Sequence, residues 1–217
     1  MPAYDLEEQE QLAAIKAWWE KYGNLLTGVA LVVALAVSGV QGWRWYSAGQ
    51  AGKAGALYAA VSQAALAKDA DKTRALTDEL IDKHGSTLSA ELAALQMAQL
   101  EVEAGKPDAA RAYLERLVDK GSDALLRDLA RLRLASLQSD AGDLDAAART
   151  LQATPVPALN ARFEDLRGDI LFAKGSADEA RAAYQRALAA INKTPASAQS
   201  QGIRFVVQTK LDALGGA

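Results

Sequence analysis

The uncharged apolar segment from Leu25 to Gly42 constrains this chain more than any other feature. It contains four Leu, five Val and three Ala, and no charged side chain. As an α-helix it would be about 27 Å long, close to the roughly 30 Å hydrocarbon thickness of a bilayer. Aromatic rings of the kind that settle at membrane–water boundaries flank it on both sides: Trp18, Trp19, Tyr22, Trp43, Trp45 and Tyr46. The segment predicts one transmembrane helix over residues 25–43, in contact with a lipid bilayer.

A cleaved signal peptide is the alternative interpretation of this segment. Signal peptides have a short basic start and an apolar run of about 7–15 residues. Here more than twenty residues with a net acidic charge come first, and the apolar run is longer. Small residues at Ser47, Ala48 and Gly49 offer a cleavage site, but the bulky Trp43 and Trp45 come before them. An uncleaved anchor is the preferred interpretation.

The regions on either side of the anchor differ in composition. The acidic head comprises residues 1–24. One helical face of it carries apolar and aromatic residues and predicts a short interfacial helix, with a frayed head as the alternative. These residues are Leu12, Ile15, Trp19 and Tyr22. Residues 44–55 are rich in Gly and Ala and predict a junction and flexible linker. Basic residues near the two ends of the anchor are nearly balanced, so charge does not decide its orientation. They are Lys16, Lys21, Arg44 and Lys53.

Small residues recur every four positions within the anchor, at Ala30, Ala34 and Ser38. This spacing lets a second transmembrane helix approach closely and predicts a docking face. The alternative is that small residues are simply common in such helices.

The region from residue 56 to residue 217 contains an internal repeat. A Gly-x-x-Asp-x-Ala pattern occurs three times, with periods of 37 and 33 residues, and a degenerate copy, Lys68-x-x-Asp71-x-Thr73, lies 37 residues upstream. The three full copies are Gly105, Asp108 and Ala110; Gly142, Asp145 and Ala147; and Gly175, Asp178 and Ala180.

Each copy of the pattern predicts a hairpin of two helices. The glycine can take the left-handed conformation that ends the first helix. The aspartate at the start of the second helix can accept hydrogen bonds from unpaired amides and favours the positive end of the helix dipole. The alanine allows the two helices to approach closely. With no alternating apolar–polar run to suggest strands, we expect about four hairpins.

The spacing resembles the tetratricopeptide repeat, whose period is 34 residues. The small-residue position of that repeat holds Ala98, Ala135 and Gly168, whereas the positions for large residues hold Ala94, Arg131 and Glu164. Pro195 closes the last pair, and Ser197 to Leu214 predicts a terminal helix whose Phe205, Val206 and Leu211 cover the end of the solenoid. The predicted fold is all-α: one N-terminal transmembrane helix followed by a tetratricopeptide-like solenoid of helical hairpins.

The residues offer no catalytic, cofactor-binding or metal site. The chain has no Cys and one His, His84, whose place before a glycine suits a helix end. The carboxylates Glu101 and Glu103, or Glu164 and Asp165, are spaced so that they do not share a helix face. With 24 Lys and Arg against 27 Asp and Glu, the charge does not favour a nucleic-acid partner.

Two side-chain sets have alternative interpretations. Arg127, Arg131 and Arg133 predict either a grip on an acidic peptide or a surface neutralised by Asp123 and Asp128, and the second is preferred. Five aromatic residues at helical positions are expected mostly in the core, with one or two lining a binding surface. They are Tyr58, Tyr113, Phe163, Phe172 and Tyr184.

The chain resembles the YfgM family of ancillary Sec translocon subunits over its full length. Two runs carry the resemblance: Gly42-Trp43-Arg44-Trp45-Tyr46 after the anchor, and Asp165-Leu166-Arg167-Gly168-Asp169 continuing through Leu171, Lys174, Gly175, Ala180 and Arg181. The resemblance implies a cytoplasmic N-terminus and a periplasmic repeat domain at the inner membrane of a Gram-negative bacterium. It also implies association with the SecYEG channel and the chaperone PpiD, and transfer of emerging polypeptides to periplasmic chaperones.

Taken with the repeats, this favours a non-catalytic interaction subunit. One alternative is a membrane-tethered scaffold for another envelope complex. A second is a tethered hydrolase, which would require a deep pocket with clustered carboxylates of perturbed pKa.

Overall fold

The computed structural model describes residues 4–193 and 198–215, and these residues form helices and no strand. The all-α prediction is confirmed. The helices are α1 (Tyr4–Leu66), α2 (Ala70–His84), α3 (Leu88–Glu103), α4 (Pro107–Lys120), α5 (Ala124–Asp140), α6 (Leu144–Thr150), α7 (Asn160–Ala173), α8 (Ala177–Asn192) and α9 (Ala198–Ala213), with a short 3₁₀ turn at Pro157–Leu159 before α7.

The chain divides into two compact units, one up to Gln50 and one from Ala51. In the first unit α1 includes a window that is long and apolar enough to cross a membrane, the one such helix among the described residues. Its large side chains are exposed; Leu31 and Leu35, for example, keep 62% and 66% of their surface. The first unit therefore has an exposed apolar surface among its described residues.

The segment 44–55 is helical, which corrects the prediction of a flexible linker. Ala48, Ala51 and Ala54 favour the helix and no proline interrupts it, while packing of Ala54 helps to offset the cost of about 1 kcal/mol for each glycine. Ala54 is completely buried and packs in one cluster with Val61 and with residues of α2 and α3. The head is also helical from Tyr4 onward.

The second unit consists of four hairpins and a terminal helix, as predicted. The last part of α1 packs against α2 through Val61 and Leu80. The pairs α3–α4, α5–α6 and α7–α8 form the other three hairpins, and α9 packs against α8. The first helices of successive hairpins, α3, α5 and α7, also contact one another in that order.

A residue in the left-handed conformation ends the first helix of every hairpin. Gly105, Gly142 and Gly175 have φ of 71°, 81° and 83°, and Lys68 has φ of 57° at the equivalent position. The same pair of backbone hydrogen bonds closes each turn; in the first hairpin Lys68 N donates to Ala65 O and the next amide donates to Ala64 O, both at 3.0 Å. This arrangement satisfies carbonyls that a helix end leaves unpaired.

Replacing Lys68 by glycine should raise the free energy of unfolding by about 1 kcal/mol. The left-handed conformation costs a residue with a Cβ about 1–2 kcal/mol, and glycine removes that cost. Part of the gain in stability is lost, because glycine also gives the unfolded chain more conformational freedom. Urea unfolding of the full-length protein in detergent, followed by circular dichroism, measures the change. Lys72→Gly, inside α2, is the matched control and should lower stability by about 1 kcal/mol. A loss of stability in Lys68→Gly would contradict the prediction.

The repeated aspartate is the second residue of its helix and does not cap it. Asp108, Asp145 and Asp178 make no capping bond to a backbone amide in the described structure. Where the cap is a side chain, it lies two residues earlier: Asp69 accepts from Lys72 N and Asp143 from Ala146 N, both at 3.1 Å. The prediction of capping bonds to the repeated aspartate is therefore wrong, and favourable interaction with the helix dipole is what its position allows.

The repeated alanines lie where the two helices of each hairpin meet. Ala110, Ala147 and Ala180 are completely buried, each in the cluster that joins its hairpin to a neighbour. The small-residue position on the first helices is equally tight: a Cβ on Gly168 of α7 would lie 2.4 Å from Cε1 of Tyr184 on α8.

The terminal helix covers the last hairpin with a different face from the one predicted. Val207 and Leu211 are buried against α8, whereas Phe205 is 75% exposed and Val206 is 46% exposed. Helical spacing explains the difference: Val207 lies four positions before Leu211 and shares its face of the helix, whereas Phe205 and Val206 lie on other faces. The prediction is correct for Leu211 and wrong for the other two. Pro195 and Ser197 lie outside the described residues.

Candidate interaction groove

A groove of about 800 Å³ lies within the second unit, between the first helices α3, α5 and α7 and the terminal helix α9. This volume is within the range of pockets that bind ligands. Its lining residues come from five helices. They are Ala98, Gln99, Val102 and Glu103 of α3; Leu114 of α4; Leu132, Arg133, Ser136, Leu137 and Asp140 of α5; Arg162, Asp165, Leu166 and Asp169 of α7; and Gly202, Ile203 and Val206 of α9.

The walls of this groove carry exposed apolar side chains. Val102 keeps 44% of its surface exposed, and Val206 is exposed to nearly the same extent on α9. Leu137, Leu166 and Ile203 are partly buried between them. Val206, which the sequence predicted to cover the end of the solenoid, therefore lines the groove.

Charged side chains of α7 in the groove are joined to α9 by Lys210. Its Nζ donates to Asp165 Oδ1 at 2.7 Å and to Asp169 Oδ2 at 2.8 Å. The pKa of Asp165 lies above its ordinary value, because burial, with a smaller contribution from the charge of Asp169, outweighs the hydrogen bond and charge of Lys210. Burial lowers the pKa of Lys210, but its two carboxylate partners outweigh that effect and leave the pKa above its ordinary value. Tyr184 extends the network by donating to Asp169 Oδ1 at 2.8 Å.

This network has the character of a structural link rather than a catalytic pair. Lys210 donates to both carboxylates and thereby ties α9 to α7. The pKa of the Tyr184 hydroxyl is raised, mainly by burial and secondly by its hydrogen bond to Asp169. Within residues 4–193 and 198–215 no group of three or more His, Cys, Asp or Glu is placed to hold a metal ion.

The two carboxylate pairs considered from the sequence do not act together. Glu101 is buried and bound by Arg74, whereas Glu103 is exposed and accepts from Gln99 at 3.0 Å. Glu164 is paired with Arg167 and Arg186, while Asp165 is held by Lys210. Each carboxylate therefore has its own partner on a different helix or face.

The arginine row on α5 is used within the protein. Arg127 donates to Gly121 O at 3.2 Å, Arg131 pairs with Asp128 at 2.6 Å, and Arg133 donates to Leu95 O at 2.9 Å. The predicted neutralisation by Asp123 and Asp128 holds only for Arg131 and Asp128, but all three arginines bond within the protein and not to an outside peptide. Asp123 does not take part, since it caps α5 at Leu126 N.

None of the five candidate aromatic residues lines the groove. Phe163 and Tyr184 are in the core, Tyr58 and Tyr113 are partly buried, and Phe172 is exposed near the end of α7. The expectation that one or two of them would line a binding surface is not met by this groove. Two of its lining residues, Glu103 and Asp140, share a sequence position, since each lies two residues before a glycine of the repeat.

The predicted docking face of the anchor lies on α1. Ala30, Ala34 and Ser38 are exposed there. The face remains a prediction.

Comparisons with known proteins agree with this architecture. A family model described as a tetratricopeptide repeat-like domain matches residues 16–216. A relative from Aggregatibacter actinomycetemcomitans, named ancillary SecYEG translocon subunit, is 34% identical over 188 residues, which cover 85% of this chain and 90% of the relative. The chain belongs to the YfgM family. The resemblance drawn from the sequence is confirmed, and in this YfgM-family chain the matched region includes the apolar segment, the four hairpins and the groove.

Proposed function

We propose that this protein is a non-catalytic, membrane-anchored interaction subunit of the SecYEG translocon. The observation that carries the proposal is the combination of one exposed apolar helix with a hairpin solenoid that contains an open groove. The name of the relative, ancillary SecYEG translocon subunit, supports the translocon as the assembly. The groove residues offer contact surface and hydrogen-bonding groups, which suits binding of another protein.

The anchor has a physical role in this function. Confining a weak binding site to a membrane layer raises its effective concentration toward partners in the same layer. The affinity of each contact can then stay low while the assembly persists. We place the N-terminus in the cytoplasm and the repeat domain in the periplasm, where it helps transfer emerging polypeptides to chaperones, PpiD among them.

Site-specific photocrosslinking from the anchor tests the proposal. A photoreactive residue at Ala34 or Ser38 should give adducts with SecYEG subunits or with PpiD in intact membranes, because small residues mark the face where a second helix can approach. Matched controls are Val32 and Ala36, which lie about 180° around the same helix. We expect several-fold fewer protein adducts from the controls.

One result would contradict the proposal: adducts with a different envelope complex, and none with the channel or PpiD, would support the alternative scaffold function. Equal yields of channel adducts from both faces would leave the function in place and contradict only the docking face at Ala34 and Ser38.

A further inference from the structure

Two carboxylates of the groove occupy the same position in consecutive hairpins. Glu103 and Asp140 each lie two residues before a left-handed glycine, in the last turn of α3 and of α5. Both line the groove beside apolar side chains: Glu103 follows Val102, and Asp140 lies three residues after Leu137. The groove therefore carries a pair of negative charges along the edge formed by these helix ends.

The position of these carboxylates is electrostatically unfavourable in the free protein. The C-terminal end of a helix carries partial negative charge and favours a cation. Neither α3 nor α5 has a basic residue in its last turn. Glu103 accepts only from the neutral amide of Gln99, and Asp140 has no hydrogen bond or ion pair within residues 4–193 and 198–215. A cation supplied from outside would compensate both the carboxylates and the helix ends.

The two cations that line the groove, Arg133 and Arg162, do not fill this role. Arg133 donates to a backbone carbonyl of α3, and Arg162 makes no ion pair with Glu103 or Asp140 within the part of the chain that the structure describes. The nearby Lys210 is bound between Asp165 and Asp169. The negative edge is left for a partner.

We propose that the groove binds a basic amphipathic helix of a partner polypeptide. Its apolar face would lie against Val102, Leu137 and Val206, and its Lys or Arg residues would pair with Glu103 and Asp140. A helix fits better than an extended chain, because it satisfies its own backbone groups, and the groove walls are helices with no strand edge to pair with. A volume of about 800 Å³ accommodates roughly two helical turns. This inference rests on the proposed interaction function and specifies the chemistry of the partner segment.

Binding of two model peptides to the full-length protein tests this proposal. Both peptides are fluorescent 14-residue helices with leucine on one face; one carries lysine and the other glutamate on the opposite face. Fluorescence anisotropy is measured in a neutral maltoside detergent, with empty micelles titrated in parallel to subtract peptide uptake by detergent. At low salt the lysine peptide should bind at least about ten-fold more tightly than the glutamate peptide, and salt should narrow this ratio.

Matched charge-removal variants locate the site. E103Q/D140N should weaken binding of the lysine peptide by about ten-fold, since two ion pairs and their helix-end contributions are lost. D82N/D119N is the control: it removes two exposed carboxylates from the last turns of α2 and α4, which do not line the groove. This control should bind like the unmodified protein, and circular dichroism checks that both variants remain folded.

Equal binding of the two peptides would overturn the inference, and so would unchanged affinity in E103Q/D140N or the same loss in D82N/D119N. These results are separable from those of the anchor crosslinking. Adducts with SecYEG together with no preference for the lysine peptide would refute the cationic helix and leave the interaction function in place.

Discussion

Replacing Gly168 by alanine should lower the free energy of unfolding by about 2 kcal/mol, and leucine should lower it by about 3 kcal/mol or more. The new Cβ would stand 2.4 Å from Cε1 and 2.6 Å from Cδ1 of Tyr184. That ring cannot easily move away, because it is buried against α9 and its hydroxyl is bound to Asp169. Urea unfolding of the full-length protein in detergent, followed by far-ultraviolet circular dichroism, measures the loss. Tryptophan fluorescence is unsuitable, since all four Trp lie in α1.

A matched control distinguishes this contact from a general effect of alanine in a helix. Gly52 is also helical, and a Cβ there would meet no atom within 4 Å. Gly52→Ala should therefore raise stability by about 0.5–1 kcal/mol, opposite in sign to Gly168→Ala. In a Tyr184→Ala background the Gly168→Ala change should become neutral or stabilising. If both alanine variants were stabilised equally, the close packing of α7 on α8 would be wrong.

The hairpin turns were predictable from sequence because their cause is local. A left-handed residue is needed wherever a helix ends in this way, and glycine takes that conformation at little cost. Gly105, Gly142 and Gly175 therefore mark the turns by identity and spacing alone. Even the degenerate copy at Lys68 was found, since the rest of its pattern keeps the spacing.

Features that depend on distant contacts were not predicted from the sequence. Residues 44–55 resemble a linker in composition, but the burial of Ala54 against another hairpin helps to hold them in a helix. The face of α9 that covers the solenoid is selected by α8, not by the hydrophobicity of Phe205 and Val206. The groove likewise exists only where three first helices and α9 meet, so no single segment encodes it.

Acids on the first helices, two of them buried and the third partly buried, form a second repeat that connects neighbouring hairpins. Glu91 of α3, Asp128 of α5 and Asp165 of α7 are spaced by 37 residues. Glu91 accepts bonds from the loop before α5, Asp128 accepts from Val156 N at 2.7 Å before α7, and Asp165 binds Lys210 of α9. Each acid thus reaches the chain that follows its own hairpin. The pattern was missed because an acid on a helix ordinarily indicates a solvated surface.

Replacing Glu91 by alanine should lower the free energy of unfolding by about 3 kcal/mol. The carboxylate is 2% exposed and accepts from Ser122 N at 2.5 Å, Ser122 Oγ at 2.7 Å and Asp123 N at 3.2 Å. Hydrogen bonds to a charged group contribute about 1.5–3 kcal/mol each, and water reaching the partly exposed loop recovers part of that loss. The same circular dichroism titration measures the change.

The controls for this substitution separate the inter-hairpin bonds from a change in charge. Glu115→Ala removes an exposed carboxylate from α4, where its partner is Arg111 on the same helix, and should change stability by no more than about 0.5 kcal/mol. Glu91→Gln keeps one acceptor oxygen and should give an intermediate loss. Because hairpins in a solenoid are stabilised mainly by their neighbours, weakening the contact between α3 and the loop before α5 should also broaden the unfolding transition. A Glu91→Ala variant as stable and as cooperative as the Glu115→Ala variant would show that these bonds do not connect the hairpins.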